Sequence, residues 1–191
     1  GLAGYAAQGN PGQPSAPASP VRDDAAQSGE LMVEARREFY PEGRLPSRFV
    51  VTADAFTRRG QHDQAANFLR NAVAENPKDG EAWLALGNAL VEHAGGRLTA
   101  AALYAYSQAE KVSPENPAPT YFLGLAFLRA GEPANTLTLW RELLESAPAD
   151  AEWRGPLAAR LERLEAILGV TQRATLDDHD APSPTKTVAK K

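Results

Sequence analysis

Cysteine is absent from the 191 residues. That removes disulfides, thiolate zinc sites, thiol–disulfide exchange and covalent haem attachment through a C-x-x-C-H motif. Strand-like runs of Val, Ile and Thr are nearly absent too, while Ala, Leu and scattered aromatics suit helix packing, so the composition reads as all-helical. No apolar run reaches the roughly 18 residues of a transmembrane helix. Basic residues are in deficit, 20 Lys and Arg against 24 Asp and Glu, and no basic stripe offers itself to nucleic acid. The three histidines, His62, His93 and His179, lack a second ligand or a base partner at a useful spacing on one helix face. A P-loop, a G-x-G-x-x-G after a strand, H-E-x-x-H and a nucleophile elbow are all missing. Neither catalysis nor a metal or cofactor is therefore expected. The acidic run Asp177-Asp178-His179-Asp180 sits in a segment too irregular to preorganise a site.

What remains is organised along the chain. Residues 1–29 hold Pro11, Pro14, Pro17 and Pro20 among Gly, Ala, Ser and Gln, a flexible linker composition that cannot offset its ordering entropy by burial. A short helix is expected from Glu30 to Phe39, ended by Pro41-Glu-Gly43, with the turn reaching Pro46. Residues 170–191 read as a disordered tail.

Between these ends lies a repeat. Trp83-x-x-Leu86-Gly87, then Ala102-x-x-x-Tyr106 and a closing Pro114, resembles the tetratricopeptide (TPR) signature, a helix–turn–helix unit of about 34 residues. A third unit aligns as Thr120, Leu123-Gly124, Phe127, Gly131, Thr136, Trp140, Leu143 and Pro148. A weaker first unit aligns as Phe49, Ala53, Phe56, Gly60, Ala65, Leu69, Ala72 and Pro77. The extra residues of the second unit fall in the turn His93–Thr99, where insertion costs little entropy. Small residues at Ala53, Gly87 and Gly124 let paired helices approach, Gly60 and Gly131 can end first helices in the left-handed conformation, and Trp83, Tyr106 and Trp140 fill the space between helices. The spacing predicts an all-α TPR solenoid over 47–169, with units of about 47–78, 79–115 and 116–149. An amphipathic cap is expected over 151–168, with Trp153, Leu157, Leu161, Leu164 and Leu168 on its apolar face.

A TPR stack presents the first helices of its units to a concave groove. Helical projection puts Val50, Asp54, Thr57 and Arg58 there from unit one, Glu81, Leu84, Asn88, Val91 and Glu92 from unit two, and Tyr121, Leu125, Leu128 and Arg129 from unit three. The apolar strip within this set suits an amphipathic helix laid in a groove. The same residues could instead pack beneath the terminal helix or the Glu30–Phe39 helix. Arg58, Asn88, Tyr121 and Arg129 are favoured for ligand contact because polar groups are less often needed for packing. On this reading truncating Trp83 or Trp140 to Ala destabilises the stack by roughly 3–5 kcal/mol, whereas truncating Tyr121 or Arg129 leaves melting nearly unchanged and weakens the bound peptide. A carboxylate clamp of the chaperone-binding kind is not expected, since Val50 and Asp54 stand where it needs Lys and Asn and only Asn88 fits.

Several longer strings resemble one family. Gly4–Pro14, Asp79–Gly87 with the long turn His93–Gly96, Thr120–Phe127 with Leu139–Leu144, and Arg160–Leu168 are similar to the periplasmic TPR domain of cytochrome c biogenesis proteins of the CcmI/CycH type. The resemblance implies an adaptor facing the periplasm that holds the C-terminal helix of apocytochrome c and presents it to subunits of the haem-ligation complex. It also implies tethering to the inner membrane, with the anchor upstream of Gly1. A cysteine-free holder would avoid mixed disulfides with the thiols of its client. The alternative is a TPR scaffold joining subunits of another complex, without an unfolded client.

Overall fold

Prolines, glycines and short polar side chains set the helix ends. The computed structural model describes residues 20–41 and 43–179, with side chains from 24 to 41 and 43 to 169. Among the described residues there are eight helices and no strand: α1 (Pro20–Arg37), α2 (Arg48–Thr57), α3 (His62–Glu75), α4 (Gly80–His93), α5 (Ala100–Val112), α6 (Ala118–Arg129), α7 (Pro133–Ser146) and α8 (Arg154–His179). Pro77, Pro114 and Pro148 stand just beyond the ends of α3, α5 and α7, where a proline stops further helix. Asp79 accepts a hydrogen bond from the Ala82 N–H at 2.9 Å and Thr99 one from the Ala102 N–H at 3.2 Å, which caps α4 and α5. Gly60 and Gly131, at φ +71° and +80°, turn the chain out of α2 and α6.

The helices pair as α2–α3, α4–α5 and α6–α7, each pair packs on the next through α3 on α4 and α5 on α6, and α8 closes against α7. This is the helical solenoid that the repeat spacing implies. Paired helices approach where a side chain is missing: a Cβ at Gly87 would lie 2.8 Å from the Tyr106 ring, and one at Gly124 would overlap the Trp140 indole. The rings filling these positions have their polar atoms satisfied. Tyr106 donates its hydroxyl to Asn88 Oδ1 at 2.9 Å, and Trp140 donates its Nε1–H to the Tyr121 carbonyl at 3.2 Å. Thr136, fully buried, donates its hydroxyl to the Gly124 carbonyl at 2.8 Å.

Three expectations need correction. Trp83 is half-buried; its indole N–H donates to the Pro77 carbonyl at 2.9 Å and its ring meets Tyr104 edge-on at 5.8 Å, so the motif tryptophan braces a turn more than it fills the core. Helix α1 starts ten residues before Glu30. Pro20 begins it because a first-turn proline loses no hydrogen bond. Helix α8 continues past Leu168 to His179, since Gly169 is absorbed within it and no proline intervenes. The expected linker over 1–19 and the last part of the expected tail, 180–191, lie outside the described residues.

Candidate functional site

Eight of the thirteen candidate groove residues are buried: Val50, Asp54, Thr57, Glu81, Leu84, Asn88, Val91 and Tyr121. An open groove across units one and two is therefore corrected. Val50, Leu84 and Val91 belong to the continuous apolar core, and Asn88 is engaged by Tyr106 inside its own unit. Asp54 and Glu81 are met by α1. Arg36, 3% exposed, donates to Asp54 at 2.7 Å and to Glu81 at 3.2 Å, while Arg37 holds both oxygens of Glu81 at 2.8 and 2.9 Å. Two guanidiniums and two carboxylates thus neutralise one another beneath α1. Burial opposes the charge on Arg36, but Asp54 and Glu81 outweigh it and hold this guanidinium above its ordinary pKa.

The same helix approaches α2 closely. A Cβ on Gly29 would overlap the Thr57 carbonyl, so only glycine lets α1 lie at this depth. Arg58, half-exposed, pairs with Glu30 of α1 at 3.0 Å. The part of the surface assigned to a ligand in units one and two is thus taken by the chain itself. Of the remaining candidates, Leu125 is half-buried, Leu128 is exposed, and Arg129 pairs with Glu92.

Free concave surface survives at unit three. Beyond α1 the chain continues through Phe39, whose ring lies 5.1 Å from Tyr121 and 6.0 Å from Phe122. The Asn116 side chain fastens this crossing by donating to the Phe39 carbonyl at 3.3 Å. Tyr121, 5% exposed, stacks on Trp140 at 5.4 Å with 7° between the rings, and Arg160 of α8 lies over it at 5.3 Å and donates to its hydroxyl. Burial pushes the Tyr121 phenol up, Arg160 pulls it down, and Glu38 adds an upward push.

Between these groups opens a cleft of about 290 Å³ walled by Phe39, Pro117, Tyr121, Leu143, Trp153 and Leu157, with Glu38 and Glu152 exposed at its edge. Its volume suits a single large side chain and not a whole helix. Of the candidates read from sequence, only Tyr121 lines it. Phe39 and Trp153 stood in the sequence as the end of one helix and the face of another. Their aromatic character and their positions just outside the repeat were the signal available.

The second and first units match the tetratricopeptide repeat family over residues 51–117. The chain is 36% identical over 133 residues to the cytochrome c-type biogenesis protein CycH of Bradyrhizobium diazoefficiens, covering 70% of this chain and 35% of that protein. It is 28% identical over 167 residues to the protein of the same name from Rhizobium meliloti, covering 87% of this chain and 44% of the relative. The chain thus spans less than half the length of the curated relatives it matches. Among the described residues no helix is long and apolar enough to cross a membrane.

Proposed function

Because this chain is a tetratricopeptide-repeat protein of the CcmI/CycH type, we propose that it is a non-catalytic adaptor of cytochrome c maturation that holds the C-terminal helix of apocytochrome c and presents it for haem ligation. The client's helix lies along α6, whose Leu125 and Leu128 offer apolar contacts at helical spacing, and sends one side chain into the cleft bounded by Phe39, Tyr121 and Trp153. Subunits of the haem-ligation complex are the further partners, and the setting is the periplasmic face of the inner membrane. The observation that carries this reading is the cleft: α1 fills the groove over the first two units and leaves an aromatic anchor site at the third.

The reading is tested by calorimetric titration with a peptide of an apocytochrome c C-terminal helix and a scrambled control of equal composition. Binding at tens of micromolar or tighter by the helix alone is expected. No heat from either peptide, with the far-ultraviolet circular dichroism intact, removes the client-holding role. The scaffold alternative draws on one observation of its own, the exposed Leu103 and Tyr104 of α5. Under that reading truncating those two residues, and not Trp153, disrupts assembly.

A further inference from the structure

The cleft at unit three carries chemistry that an apolar anchor alone would not use. Its walls are aromatic and aliphatic, yet two carboxylates, Glu38 from the end of α1 and Glu152 from the approach to α8, line its edge. Both are exposed, and neither forms an ion pair among the described residues, whereas Asp54, Glu81, Glu92 and Glu165 all do. Arg160, a cation beside the cleft, is directed at the Tyr121 ring and hydroxyl. It shows that this aromatic cluster already accommodates a guanidinium over a ring face.

We infer that the cleft is a receptor for a basic side chain, lysine or arginine, projecting from the partner's helix. This rests on the helix-holding reading above and names the side chain that the anchor site selects. A long basic side chain satisfies both halves of the site. Its methylene stem covers the apolar wall of Trp153, Phe39 and Leu157, while its charged head stays at the wet edge between the carboxylates. The aromatic rings add cation–π attraction, which favours Arg and Lys over an uncharged group of equal length. An acidic side chain would meet like charge, and an aliphatic one would leave both carboxylates without a partner.

The test is a double-mutant cycle by calorimetry on the whole chain. The apocytochrome c C-terminal helix peptide is titrated as such and with each basic residue replaced in turn by norleucine, against wild type and against Glu38→Gln/Glu152→Gln. Both carboxylates are exposed, so the variant is expected to melt as wild type does. One norleucine replacement is expected to weaken binding to wild type about tenfold, combining a partly exposed ion pair with a cation–π contact. The same replacement should weaken binding to the variant by only about two- to fourfold, the cation–π share that the glutamines leave in place. If the peptide binds but no basic position couples to the two carboxylates, the inference is overturned while the helix-holding reading stands. If the native peptide does not bind wild type at all, both fall. Self-association of the chain that blocks the peptide would assign the cleft to a second copy and also overturn the inference.

Discussion

Replacing Arg36 by methionine measures how firmly α1 is seated. The methionine keeps most of the buried stem and deletes the charge. Glu81 retains both contacts from Arg37, at 2.8 and 2.9 Å, so Asp54 alone loses its counter-ion. Asp54 is 5% exposed and cannot recover water without lifting α1. Breaking a buried pair on one side costs about 3–5 kcal/mol, and because only one carboxylate is orphaned the expected loss sits near 3 kcal/mol. Removing both partners, as in Arg36→Met/Asp54→Leu, should return stability to within about 1 kcal/mol of wild type, since apolar isosteres of a buried pair are close to neutral. Urea unfolding followed by circular dichroism at 222 nm gives both numbers, and an unchanged m-value shows that α1 unfolds with the rest. A loss below about 1 kcal/mol for Arg36→Met, or a double variant no better than the single, would refute the seating of α1 on α2 and α4.

Tyr121→Ala should cost about 3–5 kcal/mol, because it removes a buried ring stacked on Trp140 and tilted against Phe39, whereas Tyr121→Phe should cost about 1 kcal/mol; equal urea midpoints for the two would count against this packing. Gly87→Ala should destabilise by about 1–3 kcal/mol against the Tyr106 ring, while Gly155→Ala, with open space around it, should be neutral or gain up to about 1 kcal/mol; thermal melts separate them. The pKa of His62 is lowered by burial first and by Arg129 and His93 next, so the unfolded chain binds more protons. The contribution of this histidine is therefore fully present above its unfolded pKa of about 6.5 and is lost as pH falls below it. Between pH 7.5 and 5.5 wild type should lose more stability than His62→Gln, and equal losses would remove His62 as the cause.

The repeat was legible because each signature position answers to a local cause. Gly87 must be small beneath Tyr106, Gly60 must take a positive φ, and Pro114 must end α5, so spacing alone located the paired helices. The site was less legible because periodicity reports which side chains turn inward, not which element covers them. Val50 and Leu84 face the concave side and a bound helix would satisfy them equally well. The decisive signal was one of charge. Asp54 and Glu81 are two acids expected in a groove, and Arg36 and Arg37 are two bases at the end of the preceding helix, so the four together prefigure a docked α1. Pro20 hid the rest, since a proline after a run of prolines reads as linker although at a first helical turn it is a start.

Occupation of the groove by α1 also relocates specificity. In an empty stack, ligand contacts would fall on first-helix positions of the repeat, which every unit supplies in similar form. Here the free cleft is closed on one side by Phe39 and Glu38 at the end of α1 and on the other by Glu152 and Trp153 ahead of α8, and the repeat contributes Pro117, Tyr121 and Leu143 between them. Two of the three aromatic walls and both carboxylates thus come from elements outside the repeat. Any selectivity for a basic anchor then depends on the seating of α1, because lifting α1 carries Phe39 and Glu38 away together. The ion quartet around Arg36 and the cleft at unit three form one mechanical unit. Arg36→Met should therefore weaken peptide binding even though Arg36 does not line the cleft.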